Sequence, residues 1–316
     1  MMRAALMVAV LTMTSWATAQ SNPQSAPQQP ATGSTTASPA QGAATQPTAK
    51  RPPQAQTQPE YDAWKAADAA SKLTPDEQAA TQKTPADSGT IMNAVAERTE
   101  KAADDFATKF PESELRIFLY KAAMRNYRNV HNLDKTEAAG RRVLTFDGDD
   151  PEALVTIADV ITQKTRDTDL DKEQRYDEAM KFAQKATQTV DTDVTPPAGA
   201  SQEQVDTYKA GLRSQAYSIM GTIEFKKENF AAAQANLQKS IDAFPAQPDA
   251  VDILRLALSL DKQKKYAEAL PFANRAVELT PENSQIGLLS RRERDRLQQL
   301  TAGPPSPQPQ VQPPKN

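Results

Sequence analysis

Lys121, Arg125 and Arg128 are spaced i, i+4 and i+7, which places three cations on one face of a helix. Cations grouped in this way hold a partner's carboxylate or an acidic peptide through charge-assisted hydrogen bonds, although the same spacing also describes an ordinary solvated face. A second group is Asp167, Asp169, Asp171 and Glu178, which fall at positions one, three, five and twelve of a calcium loop. Lys172 stands where that loop needs glycine and opposes both the turn and the charge. A polar insertion between two helices accounts for the same residues.

The sole histidine, His131, sits close to Asn129 and Asn132 and reads as a helix C-terminal residue near exposed carbonyls. With no cysteine in the chain, disulfides, thiolate metal sites, cysteine nucleophiles and lipid attachment through an N-terminal cysteine are excluded. The glycines are isolated, so no loop is built to cradle a phosphate. Carboxylates are plentiful, but no pair of them is set in an apolar pattern that would tune one as an acid or base. No catalytic residue, metal or cofactor is therefore assigned. The 37 basic and 40 acidic residues give a net charge of −3, without the basic excess that nucleic-acid binding needs.

The elements that position these groups are helical. Gly is scarce among the 316 residues, and Ala, Gln, Lys and Glu are common, which favours helix over sheet. The ends have another character. Arg3, the apolar run Ala4 to Met13 and the small residues Ala17-Thr18-Ala19 form a secretory signal, with cleavage expected between Ala19 and Gln20. The competing reading, an uncleaved anchor, needs a longer apolar run to cross about 30 Å of hydrocarbon. Residues 20–60 contain no Val, Ile, Leu, Met, Phe, Trp or Tyr, and with the tail 301–316 they hold 14 of the 24 prolines. Segments of this composition bury too little apolar surface to offset their ordering entropy, so both are expected to be disordered.

The middle repeats. One unit starts at Ser214, carries Tyr217, Met220 and Gly221, then Phe230, Ala233, Leu237 and Ile241, and closes on Phe244-Pro245. The next starts at Ala250, carries Ile253, Leu256, Ala257 and Leu260, then Tyr266, Ala269, Ala273 and Ala276, and closes on Thr280-Pro281. The closing prolines are 36 residues apart. Small residues at matched depths let neighbouring helix backbones approach, and the aromatics fill the space between layers. Two earlier units run from about 117 to 150 and from 151 to 190, with insertions at about Asp167–Arg175 and Asp191–Arg213; the latter is expected to hold a Pro196-Pro197-Ala198-Gly199 loop, with Gln202 to Arg213 extending the first helix of the third unit. Residues 61–110 supply N-terminal helices and half of a degenerate repeat. Residues 284–300 supply a capping helix whose Arg291, Arg292, Arg294 and Arg296 form a polar outer face.

These spacings resemble the tetratricopeptide repeat, a helix–turn–helix unit of about 34 residues. The resemblance covers roughly residues 90–300 and implies an all-α solenoid of four helical hairpins whose function is to hold other proteins or peptides. It also implies a groove lined by the first helix of each hairpin: Lys121, Arg125 and Arg128, then Ser218, Thr222, Phe225, Leu254, Leu258 and Asp261. The family's carboxylate clamp would draw further on Thr156, Gln215 and Ile219, and the apolar Ile219 departs from it. The segment Phe110-Pro111-Glu112-Ser113 is similar to repeats of the outer-membrane barrel-assembly lipoprotein, which carries a lipid-bearing cysteine that this chain lacks. The sequence thus implies an exported, non-catalytic scaffold, periplasmic or secreted, with no membrane span once the signal is removed. An envelope assembly factor is the alternative, and a carboxylate-based hydrolase is the reading from another class.

Overall fold

A computed structural model describes residues 50–195 and 199–302. The signal segment with its Ala19–Gln20 cleavage point, residues 20–49 of the expected linker, most of the Pro196-Pro197-Ala198-Gly199 loop and the tail from 303 lie outside the described residues. Every regular element among the described residues is an α-helix: α1 (Gln58–Ala70), α2 (Pro75–Lys83), α3 (Pro85–Lys109), α4 (Arg116–Asn129), α5 (Leu133–Phe146) and α6 (Pro151–Lys164). They continue as α7 (Lys172–Thr189), α8 (Gln202–Lys226), α9 (Phe230–Ala243), α10 (Ala250–Lys262), α11 (Tyr266–Glu278) and α12 (Gln285–Thr301).

The helices pair as the repeats require: α4 with α5, α6 with α7, α8 with α9 and α10 with α11, while α12 closes the end against α11 and α10. Close approach depends on missing side-chain atoms. A Cβ on Gly221 of α8 would lie 2.7 Å from Leu237 Cγ of α9, and one on Gly140 of α5 would lie 2.9 Å from Ile157 Cγ1 of α6. Ala233, Ala257, Ala269, Ala273 and Ala276 are fully buried at the matching depths of the last two hairpins. The turns between paired helices share one conformation. His131, Glu228 and Lys264 each have φ near +60°, and the next residue's N–H reaches back to Tyr127, Glu224 and Leu260 respectively. That is a left-handed helix end capping its own last carbonyls. His131 is thus the C-terminal residue expected of it, held by its backbone.

Several boundaries differ from the sequence reading. Ordered chain precedes residue 60: α1 starts at Gln58 because Thr57 and Glu60 form a reciprocal capping box. The unit-two connection spans only 165–171, because Lys172 to Arg175 form the first turn of α7. The start of α8 at Gln202 agrees with the sequence reading: Gln202 to Arg213 extend the first helix of the third unit, capped by Ser201 and Gln204, so that α8 runs for 25 residues. At the other end of α8, Lys226 Nζ donates to Thr162 O and Thr165 O, capping the last carbonyls of α6. Pro271 is the sixth residue of α11; it stands exposed inside the helix, past the N–H groups that lack partners in any helix.

Candidate partner-binding surface

The basic trio is built into a junction between hairpins. Asp150 caps α6 and accepts from Ala153 N–H at 2.8 Å, while its other oxygen accepts from Lys121 Nζ at 2.6 Å. Glu152, in the first turn of α6, takes Arg125 in a two-pronged contact, Nε to Oε1 at 2.5 Å and Nη2 to Oε2 at 2.6 Å. Lys121 Nζ is also 3.2 Å from Glu152 Oε2. Acidic residues at a helix start are favoured by the exposed N–H groups there, so α6 presents these carboxylates by local chemistry. The hydroxyl of Tyr208, from the N-terminal extension of α8, completes the set against Glu152 and Arg125.

This differs from the expected cationic face, since Lys121 and Arg125 are matched by Asp150 and Glu152. Lys121, Asp150 and Glu152 are buried, whereas half of the Arg125 side chain remains exposed. Burial opposes the charge of Lys121, but Glu152 and Asp150 outweigh it and keep the ammonium protonated above its ordinary range. Burial likewise opposes ionisation of Glu152, and Arg125 with Lys121 overcomes it, holding the carboxyl below the usual range. Burial and the like charge of Glu152 push Asp150 up, offset in part by Lys121. Arg128 makes no ion pair among the described residues and is half-buried. The sequence signal was the run Asp149-Asp150-Pro151-Glu152: a capped, acidic helix start one hairpin after the trio.

The other groove residues are also spent on packing. Thr222 is buried, and Phe225 meets the Phe230 ring edge-on with centroids 5.6 Å apart. Leu254 is buried and Leu258 packs on the same cluster. Ser218 donates to Asp252 Oδ1 at 2.7 Å, and Asp261 takes Arg296 of the capping helix. Ile219 and Thr156 are buried while Gln215 is half-buried. The calcium-loop carboxylates are divided: Asp169 accepts from Arg166 N–H at 2.9 Å, whereas Glu178 accepts from Arg141 at 2.8 Å. Among the described residues the carboxylates that do converge are Asp147, Asp149 and Asp193, and two of these already face ammonium groups, from Lys50 and Lys185.

Sequence reasoning missed a segment. Residues 50–55 run beside α4 and share a small cleft with Ile117, Phe118 and Lys121 through Lys50, Arg51 and Pro53. Lys50 Nζ lies 2.6 Å from Asp147 Oδ1, and its backbone N–H donates to Thr192 O at 3.2 Å. Arg51 Nη2 donates to Glu114 Oε1 at 2.7 Å, and Gln54 N–H donates to Glu114 Oε2 at 3.2 Å. An open hollow of about 810 Å³ lies elsewhere, beside the helix turns, lined by Asn93, His131, Asp134, Lys164, Arg166 and Arg175 among others. Among the described residues no helix is long and apolar enough to cross a membrane.

Residues 253–283, the α10–α11 hairpin with the turn after it, match the model of the tetratricopeptide repeat. Comparison with curated proteins gives no match. Similar solved structures include a thermophilic tetratricopeptide-repeat protein of Thermus thermophilus, with 10% identity and a TM-score of 0.42 over 74% of this chain and 98% of that one. An assembly chaperone of RpL4 (residues 1–338) has 11% identity and a TM-score of 0.35, over 73% of this chain and 100% of that one. The match covers this one hairpin, and three further helix pairs precede it in the chain.

Proposed function

We propose that this chain is an exported scaffold that binds the polypeptide of another protein, without catalysis of its own, along the α4 side of its first hairpins. The observation that carries the reading is the seat of residues 50–55. There an extended stretch of polypeptide lies on α4 and is held by the carboxylates of Glu114 and Asp147 and by a main-chain carbonyl. A surface that takes main-chain N–H groups and basic side chains together is suited to extended segments rather than to small molecules. Export rests on Arg3, the apolar run after it and the Ala17-Thr18-Ala19 site.

Two measurements test the proposal. A photo-cross-linking residue placed at Arg128 in intact cells is expected to give discrete adducts with another protein; adducts confined to the chain itself would refute a trans partner. N-terminal sequencing of the native protein is expected to begin at Gln20, and a retained Met1 would refute cleavage.

A further inference from the structure

We infer that residues 50–55 are a built-in competitor for the partner, and that the partner segment they stand in for is extended, basic and proline-containing. The inference rests on the scaffold reading and adds a ligand class and a mode of regulation. The ligand class follows from what the surface already holds, Lys50-Arg51-Pro52-Pro53-Gln54-Ala55. Each recognising group is specific to that chemistry. Glu114 reads a guanidinium and a main-chain N–H with its two oxygens. Asp147 reads an ammonium, and Thr192 O reads a second main-chain N–H. Prolines limit the conformations lost when such a segment is laid down extended.

The segment is anchored at one end and weakly held at the other. At the anchored end, Glu60 is buried and accepts from Gln56 N–H at 2.7 Å, from Thr57 N–H at 3.3 Å and from the Ser113 hydroxyl. Beyond it Ala55 packs on the core cluster around α4 and Asp147 is nearly buried, but the cations and Glu114 are exposed. The side chains of Lys50 and Arg51 keep 47% and 60% of their accessibility, and that of Glu114 keeps 42%. Exposed pairs of this kind hold little individually, so the segment can leave the surface by turning about Gln56 while α1 stays in place. Its short tether gives it a high local concentration, which a partner must outcompete.

The test uses the full mature chain and a fluorescent peptide with the sequence of residues 48–57, followed by anisotropy. Wild type is expected to bind weakly. Lys50→Glu combined with Arg51→Glu frees the surface and is expected to tighten binding at least roughly tenfold, the gain when a blocked site becomes fully competent. Adding Glu114→Ala to that pair is expected to abolish the gain. No gain on freeing the segment, or tight binding indifferent to Glu114→Ala, overturns the inference. A wild-type measurement guards against misfolded variants: the Gln54 amide should resist hydrogen exchange and lose that protection when peptide is added. Exchange of Gln54 at the free-chain rate in the absence of peptide overturns the inference equally. Cross-links from Arg128 that persist while these tests fail would leave the scaffold reading standing without the competitor.

Discussion

The junction between the first two hairpins and the junction between the last two differ in what is added to their apolar packing. The first packs Gly140 of α5 against Ile157 of α6 and adds ions between α4 and α6, where Lys121 and Arg125 are answered by Asp150 and Glu152. Between α9 and α10 it is aliphatic: Leu237, Ile241, Ile253, Leu256 and several alanines are all but sealed from solvent, and one carboxylate, Asp252, lies among hydroxyls. The repeat model matches the hairpin that follows the second of these, α10 with α11. A junction closed by small apolar residues repeats its own pattern, because every unit meets the same geometric demand. Charges added to such a junction meet a local demand once, with residues particular to the site.

The contrast is broken most severely by Glu152→Ala. It leaves Lys121 buried with Asp150 alone and frees Arg125, and a buried pair that loses one member costs about 3–5 kcal/mol. Urea unfolding followed by circular dichroism should show that loss, with Glu152→Gln falling between the variant and wild type. A loss below about 1 kcal/mol would mean that the junction is held by something other than its charges.

Asp252 probes the other junction by pH. It is 1% exposed and accepts from Ser218 Oγ at 2.7 Å and Ser240 Oγ at 2.8 Å. Burial, with the nearby charge of Asp249, pushes its pKa up from 3.8 to about 6. The folded chain therefore holds this proton more tightly than the unfolded chain does. The stability it lends is complete below about pH 4 and is lost as the pH rises through 6. Relative to Asp252→Asn, wild type should lose about 2–3 kcal/mol between pH 4 and pH 7, at 1.36 kcal/mol per pKa unit. Parallel stability–pH curves for the two proteins would show that Asp252 does not titrate in this range.

How much could be read in advance follows the same division. Tyr217, Gly221, Ala233, Ala257 and Ala269 recur at helical spacing, so the last hairpins and their contacts were legible from residue size alone. The start of α8 at Gln202 was legible within its insertion, whereas the cap box Thr57 with Glu60 carried the true start of α1 and Pro-rich surroundings masked it. The trio was legible as a helix face but not as a bonded one. Its partners lie about thirty residues on, and spacing within a helix carries nothing about ions across helices. The seat of residues 50–55 had no sequence signal, since composition reports that a segment cannot form its own core but not that another surface will hold it.

Two smaller effects test the close packing within the third hairpin. Gly221→Ala would put a methyl group 2.7 Å from Leu237 Cγ and 3.2 Å from Leu237 N, atoms that cannot swing away as a chain end would. The cost should be about 1–3 kcal/mol despite the better helix former. Gly211→Ala, on the same helix with nothing within 4 Å, should instead gain about 0.5–1 kcal/mol. Equal effects at the two positions would remove close backbone approach as the reason for Gly221.

The smallest change is Lys264→Gly. Lys264 turns α10 into α11 at φ 63°, where its Cβ crowds the backbone at a cost of about 1 kcal/mol that glycine does not bear. Its side chain is exposed and forms no ion pair among the described residues, so its removal sacrifices little. Chemical unfolding should show a gain of about 0.5–1 kcal/mol, reduced by the greater freedom of glycine in the unfolded chain. Glu228→Gly should act alike at the α8–α9 turn, because the two turns share both dihedral angle and backbone hydrogen bonds. A loss at one turn with a gain at the other would show that the hairpins are alike in backbone but not in what their turn side chains contribute.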